Sequence, residues 1–321
     1  MQMHRDVLTI GETMVIFQSN QIGSLENITS VSPKIGGAES NFAIGLARLG
    51  ESVEWISQLG NDSFGSLILK RVRGEGVYNN HVVFSDKGPT GLLFKEQITT
   101  EKMNVYYYRK QSAASYMTKE ILNNVPFESL KYLHVTGITP ALSDSCYELT
   151  MHAIRLAKHH GVKIIFDPNI RFKLWSKDKA FKVLHEISAL SDYVLIGDEE
   201  AYFLTNLQDP LEMCKKLDVN NDKVIVLKCG ANGSYVYDGQ LSHVPGYPVK
   251  TVVDAVGAGD AFAAGFTHGL LQGTDIINCA KIGNAMGALV IQQFGDIEGL
   301  PTKDVLYAFL ENDNETSDVV R

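Results

Sequence analysis

The segment Val253-Asp254-Ala255-Val256-Gly257-Ala258-Gly259-Asp260-Ala261-Phe262 reads as a strand end, a Gly-Ala-Gly turn and a helix with Asp260 in its first turn. Such a turn leaves backbone N–H groups free at the positive end of a helix dipole, which makes a seat for an anion. A carboxylate in that seat opposes simple anion binding. It suits a base that takes a proton from a hydroxyl while that hydroxyl attacks a phosphoryl group. Taken alone, Asp260 reads equally well as a first-turn acid that complements the helix dipole.

A second segment, Gly36-Gly37-Ala38-Glu39-Ser40-Asn41, also precedes a helix. Its glycines let the backbone approach a ligand closely, and Asn41 can both donate to and accept from hydroxyls. The plain alternative is a tight turn capped by Ser40 or Asn41. The chain has no Gly-Lys dipeptide, so a P-loop is excluded. Phe262 stands where the dinucleotide fingerprint needs its third glycine, which argues against a dehydrogenase.

These segments need a frame to hold them. Strand-like runs are Val7–Ile10, Val53–Leu59, Tyr132–Thr136, Lys163–Asp167, Tyr193–Ile196, Val224–Lys228 and Ser234–Tyr237. Helical patterns cover Ser40–Leu49, Ser63–Glu75, Ser143–His160, Lys177–Ser191, Asp209–Leu217, Asp260–Gln272, Ile276–Phe294 and Thr302–Asn312. The alternation predicts an α/β fold with a mainly parallel sheet and helices on both faces. Thr90–Ile98 and Met103–Arg109, flanking Thr99-Thr100-Glu101-Lys102, interrupt it as a hairpin. With Met14–Ser19 and Ile28–Ile35 they predict a small separate sheet, a lid spanning about 13–36 and 90–110 within one domain of 1–321. The alternative is an edge extension of the main sheet. The polar tail Asn312–Arg321 is expected to fray.

With 321 residues, 45% hydrophobic content and a net charge of −8, the chain has the composition of a globular protein without a basic face. Nucleic acid is therefore not an expected partner. Nor is a membrane, since no apolar run approaches the roughly 20 residues a spanning helix needs. The start Met1-Gln2-Met3-His4-Arg5-Asp6 lacks a secretory apolar segment. Cys146, Cys214, Cys229 and Cys279 form no CxxC pair, which favours a reducing, cytoplasmic setting. None of the nine histidines combines with Cys or Glu at zinc-ligand spacing.

Gly36–Asn41 and Asp254–Phe262 together resemble the two signatures of the ribokinase-like, or PfkB-type, carbohydrate kinases, and the order of elements agrees over nearly the whole chain. The resemblance implies that Asp260 deprotonates a sugar hydroxyl and that the amides of Gly257, Ala258, Gly259 and Asp260 hold the transferring γ-phosphoryl of ATP. It assigns Asn169, Lys228, Gly230, Gly233, Ser234 and Asn284 to the nucleotide side. It gives Glu200 an indirect, water-mediated role toward Mg²⁺, although the asparagine expected three residues earlier is Gly197. Asp254 and the carbonyl of Val256 match part of a monovalent-cation (K⁺) site.

Within the family, Gly11-Glu12-Thr13-Met14, Tyr107-Tyr108-Arg109 and Asp167-Pro168-Asn169-Ile170-Arg171 look like the 2-dehydro-3-deoxygluconate (KDG) kinase branch. That branch implies substrate contacts from Gly37, Asn41, Tyr107, Arg109, Arg171, Asp260 and Asp296. It also has a tyrosine where this chain has Leu93. An arginine pair with tyrosine hydroxyls suits a carboxylate-bearing sugar. The expected reaction is ATP-dependent phosphorylation of KDG at its 6-hydroxyl. A fructokinase or other neutral-sugar kinase is the nearest rival, and a non-catalytic sugar sensor is a rival of another class. The exposed lid edges are an expected homo-oligomer surface.

Overall fold

The structure, a computed structural model, describes residues 5–19, 21–99, 103–219 and 222–318, with side chains as far as residue 311. In chain order its first half holds β1 (Val7–Ile10), β2 (Met14–Gln18), β3 (Ser32–Gly36), α1 (Ala38–Arg48), β4 (Val53–Ile56), β5 (Gln58–Gly60), α2 (Ser63–Gly74), β6 (Val83–Ser85), β7 (Leu92–Gln97), β8 (Met103–Tyr108), β9 (Tyr132–Thr136), α3 (Ile138–Leu142) and α4 (Asp144–His159). The second half holds β10 (Lys163–Asp167), α5 (Lys177–Leu190), β11 (Tyr193–Gly197), α6 (Asp198–Thr205), α7 (Pro210–Leu217), β12 (Val224–Lys228), β13 (Ser234–Tyr237), β14 (Leu241–Val244), α8 (Ala258–Leu271), α9 (Ile276–Val290) and α10 (Lys303–Asp318).

Eight strands form one sheet in the order β14-β13-β12-β11-β10-β9-β1-β4. It is parallel from β12 to β4, and β13 and β14 are antiparallel. The buried run Val7-Leu8-Thr9-Ile10 explains why β1 is central: a strand covered on both faces must be apolar along its length. Val7 joins the core made with Phe42 of α1 and Phe266 of α8, whereas Leu8 and Ile10 join the core made with Ile154 of α4 and Leu184 of α5. Successive side chains thus feed opposite layers. The chain leaves β1 toward β4 on one side and β9 on the other. That reversal opens a crevice beyond the carboxyl ends of the strands, where α/β sheets gather ligands.

The small sheet forms separately, in the order β3-β2-β7-β8. Its edge strand β3 accommodates Pro33, as an edge can. Strand β3 begins at Ser32, later than the run from Ile28 suggested. The turn residues 100–102 lie outside the described residues, as do residues 1–4 at the start of the chain.

Other boundaries differ from expectation. The run Val53–Leu59 divides at Ser57: β4 stays in the main sheet and β5 pairs with β6. Helix α9 ends at Val290 rather than Phe294, before a turn in which Gly295 takes φ 110°. Helix α10 continues to Asp318, past Asn312, while residues 319–321 lie outside the described residues. Among the described residues no helix is long and apolar enough to cross a membrane.

Candidate active site

The carboxyl ends of β1 and β9 to β12 each contribute a polar side chain. Glu12 follows β1, Thr136 ends β9, Asp167 ends β10, Glu200 lies in the first turn of α6 after β11, and Lys228 ends β12. The start of α8 closes this row, and the small sheet stands opposite it. Between them is a cleft of about 390 Å³ lined by Gly37, Asn41, Tyr107, Arg109, Arg171, Gly257, Ala258, Gly259, Asp260 and Asp296, with Lys95 and Leu93 from β7 and Val256 from the turn. The expected substrate residues and the anion-binding turn therefore share one cavity.

Helix α8 begins without a side-chain cap, so no hydroxyl or carboxylate takes its first amides. Its N-cap, Gly257, has φ 85°, in the left-handed region that glycine adopts freely. A Cβ there would sit 2.8 Å from the carbonyl oxygen of Asp296, so the close approach also requires glycine. Helix α1 likewise starts uncapped at Gly37, where a Cβ would meet the Glu12 carbonyl at 2.2 Å.

Asp260 is gripped by two amides. Asn41 Nδ2 donates to its Oδ2 at 2.8 Å, and Asn169 Nδ2 to its Oδ1 at 3.3 Å. Asn169 holds a left-handed backbone, φ 38°, to make this reach. Burial, then the Asp167 and Asp296 carboxylates, push the Asp260 carboxyl up to about 8 against the opposing pull of Asn41 and Arg171. An aspartate at a helix start, beside free amides, is expected to stay ionised at neutral pH. The structure corrects this: desolvation outweighs the nearby donors and holds the Asp260 carboxyl well above the ordinary carboxylate range.

Arg109 follows β8 and turns inward. Its Nε donates to Glu12 Oε2 at 2.7 Å, and its Nη2 pairs with the same oxygen. The guanidinium is therefore fixed by a buried carboxylate, rather than lying on the sheet edge as a solvated charge. Glu12 also accepts from the hydroxyl of Ser112 at 2.5 Å. The Tyr107 ring has two cations near it, Arg109 at 5.9 Å and Lys173 at 5.5 Å from its centroid. Arg171 is solvent-exposed at the cleft.

Lys228 Nζ pairs with Asp167 Oδ2 at 2.7 Å. Burial works against its charge, yet Asp167, Glu200 and Asp260 outweigh it and hold its pKa above the usual lysine range. Both Glu200 oxygens are engaged: Oε1 accepts from Ile170 N at 2.7 Å and Oε2 from Gly197 N at 3.0 Å. Glu200 thus ties the loop bearing Asn169 and Arg171 to the start of α6. Among the described residues no group of three or more His, Cys, Asp or Glu could hold a metal ion.

A second cleft, about 580 Å³, is lined by Asp198, Cys229, Ala231, Asn232, Tyr235, His243 and Pro245 among others. Gly230 and Gly233 shape the turn beside it, with φ 55° and 82°. Ser234 is fully buried behind that turn. Asn284 Nδ2 donates to the carbonyls of Val244 and Pro245, fixing the wall of this cleft from behind.

Two buried groups escaped the sequence reading as site residues. Lys95 Nζ lies 2.7 Å from Asp296 Oδ1 and 3.3 Å from Asp254 Oδ2. Glu39, on α1, accepts from Thr136 and Thr139, and burial raises its pKa. The signals available were an amine directly after the apolar run that opens a strand, for Lys95, and an acid just after a glycine pair at a helix start, for Glu39. His134 beneath the site is neutral, since burial lowers its pKa to about 3. It packs on Phe42 and bonds Thr9.

Residues 4–303 match the pfkB family carbohydrate kinase profile. The chain is 39% identical to the 2-dehydro-3-deoxygluconokinase of Bacillus subtilis, covering 96% of each chain. Among solved structures it resembles a PfkB protein from Polaromonas sp., with TM-score 0.87 and 35% identity over 95% of this chain and 99% of that one. It also resembles a fructokinase double mutant from Vibrio cholerae bound to fructose, ADP and potassium ion, with TM-score 0.85 and 26% identity over 96% and 99% of the two chains. The uncapped glycine turn, the aspartate beside it and this agreement along the whole fold lead to one statement: the chain belongs to the pfkB family of carbohydrate kinases.

Proposed function

We propose that this carbohydrate kinase transfers the γ-phosphoryl group of ATP to the 6-hydroxyl of 2-dehydro-3-deoxygluconate. The observation that carries the reading is the cleft itself. Asp260 and the amides of Gly257–Asp260 line it together with Arg109, Arg171 and Tyr107. The first group suits a reacting hydroxyl and phosphoryl, the second a carboxylate. The Bacillus subtilis relative bears the corresponding name.

In this reading the sugar enters with its carboxylate toward the arginines. The C6 oxygen attacks the γ-phosphorus, its proton passes to Asp260, and the bond from phosphorus to the β–γ bridging oxygen breaks, releasing ADP. The amides of the first turn of α8 stabilise the charge that develops on the transferring oxygens. Lys228, held by Asp167, adds a positive charge beside Gly259 of that turn. The second cleft, walled by the 229–233 turn, receives the nucleotide, with Asn284 supporting it from behind. Mg²⁺ would arrive on the ATP phosphates and supply charge neutralisation. Glu200, with both oxygens engaged, acts on it only through the Asn169 loop or water.

The small sheet serves as a lid that shuts the cleft against water. Its outer face exposes Tyr106 and Tyr108, 44% and 64% accessible, and a second copy of the chain is the proposed cover for it.

The reading is tested with purified enzyme, ATP and either KDG or fructose at matched concentrations. Turnover of KDG at least about tenfold faster than fructose is expected from one charge-assisted contact. Faster turnover of fructose would reject the sugar-acid assignment.

A further inference from the structure

Lys95 belongs to β7 of the small sheet, yet its ammonium is buried between two carboxylates of the loops that shape the anion-binding turn. Asp296 Oδ1 is 2.7 Å away, and the carbonyl of Asp296 is the atom that backs Gly257. Asp254 Oδ2 is 3.3 Å away, while Asp254 Oδ1 accepts from Val256 N at 3.0 Å.

Asp254 and the Val256 carbonyl were expected to contribute to a site for a monovalent cation. The donors found here do not fit one. One Asp254 oxygen is committed to the backbone and the other faces an ammonium. A second cation on that oxygen would meet a full positive charge at close range in a buried setting, where repulsion is poorly screened. Burial works against the Lys95 charge, but Asp296 and Asp254 together hold its pKa above the usual range, so the ammonium persists at any working pH.

We propose that Lys95 is the built-in counter-ion of the anion-binding turn: its ammonium replaces a bound monovalent cation, and catalysis proceeds without one. The tie also joins a strand of the small sheet to the Gly257 turn, so Lys95 is a positioning residue that sets the turn through Asp254 and Asp296. The proposal rests on the kinase reading of the cleft but not on which sugar is phosphorylated.

The test compares the purified enzyme in potassium chloride and in tetramethylammonium chloride at equal ionic strength. It reads both kcat and the thermal midpoint of the substrate-free protein. Exchange of the cation should change kcat by less than about twofold and leave the midpoint within about 1 °C. A loss of about tenfold or more in kcat without potassium would overturn the proposal, as would a fall of several degrees in Tm. Lys95→Met removes the internal charge, and two buried carboxylates then lack a partner. This variant should lose at least about tenfold in kcat in tetramethylammonium and regain part of it in potassium. Full activity of Lys95→Met in tetramethylammonium would equally overturn the proposal. The wild-type comparison needs no variant to fold. Failure of the sugar assignment would appear as a preference for another sugar in both salts, whereas failure of this inference would appear as salt dependence with whichever sugar is used.

Discussion

In the proposed mechanism the chemistry turns on the balance of charges around Asp260. A base works best when its pKa lies near the operating pH. Burial and the neighbouring carboxylates bring Asp260 to about 8, instead of leaving it in the ordinary carboxylate range. Since the ionised form is the one that accepts a proton, kcat/KM should rise with pH and level off above about 8 in the free enzyme. Below that midpoint it should fall roughly tenfold per pH unit. Asp260→Asn should lower kcat by at least about 10³-fold and abolish the step. A wild-type profile flat from acid to alkaline pH would refute the assignment of the base. The same shift acts on stability. The folded state keeps a proton that the unfolded chain loses in the ordinary carboxylate range. The contribution is therefore greatest at acid pH and declines as pH rises to about 8. Asp260→Asn, relieved of that loss, should melt higher than wild type at alkaline pH.

At the scale of elements, the site depends on two helices that begin on glycines without side-chain caps, α1 at Gly37 and α8 at Gly257. Gly257→Ala places a Cβ against the Asp296 carbonyl and strains a left-handed backbone by about 1–2 kcal/mol. The first turn of α8 must then shift, and its amides lose their aim. A modest fall in Tm with a drop of about 10²-fold or more in kcat is expected from calorimetry and steady-state kinetics. Unchanged kcat would count against the turn as the phosphoryl seat. These helix starts were legible in the sequence because glycine spacing and a first-turn acid are local signals, and so was the row of parallel strands. Lys95 was not, because its carboxylates lie 159 and 201 residues further along the chain. Glu12 was visible as part of a motif, but its grip on Arg109, 97 residues away, was not. The division of Val53–Leu59 was hidden for another reason: one apolar run serves two sheets, and nothing in its side chains marks Ser57 as the handover. The elevated Asp260 pKa depends on burial, with Asp167 and Asp296 converging on it from distant parts of the chain, which no linear reading displays.

Over the whole molecule, the proposed mechanism has the small sheet close over the crevice at the sheet's reversal and exclude water from the transferring phosphoryl. Adding KDG with a non-hydrolysable ATP analogue should slow hydrogen exchange in β2, β3, β7 and β8, while the buried strands β1 and β9 change little. Unaltered exchange in the small sheet would argue against a moving lid. The account as a whole claims that one end of the cleft reads a carboxylate and the other phosphorylates a hydroxyl. The most direct measurement is kcat/KM for KDG beside 3-deoxyfructose, which differs from it only in carrying a hydroxymethyl group in place of the carboxylate. KDG should be favoured by about tenfold to a hundredfold, the worth of a charge-assisted arginine contact. Equal or faster phosphorylation of 3-deoxyfructose would contradict the account.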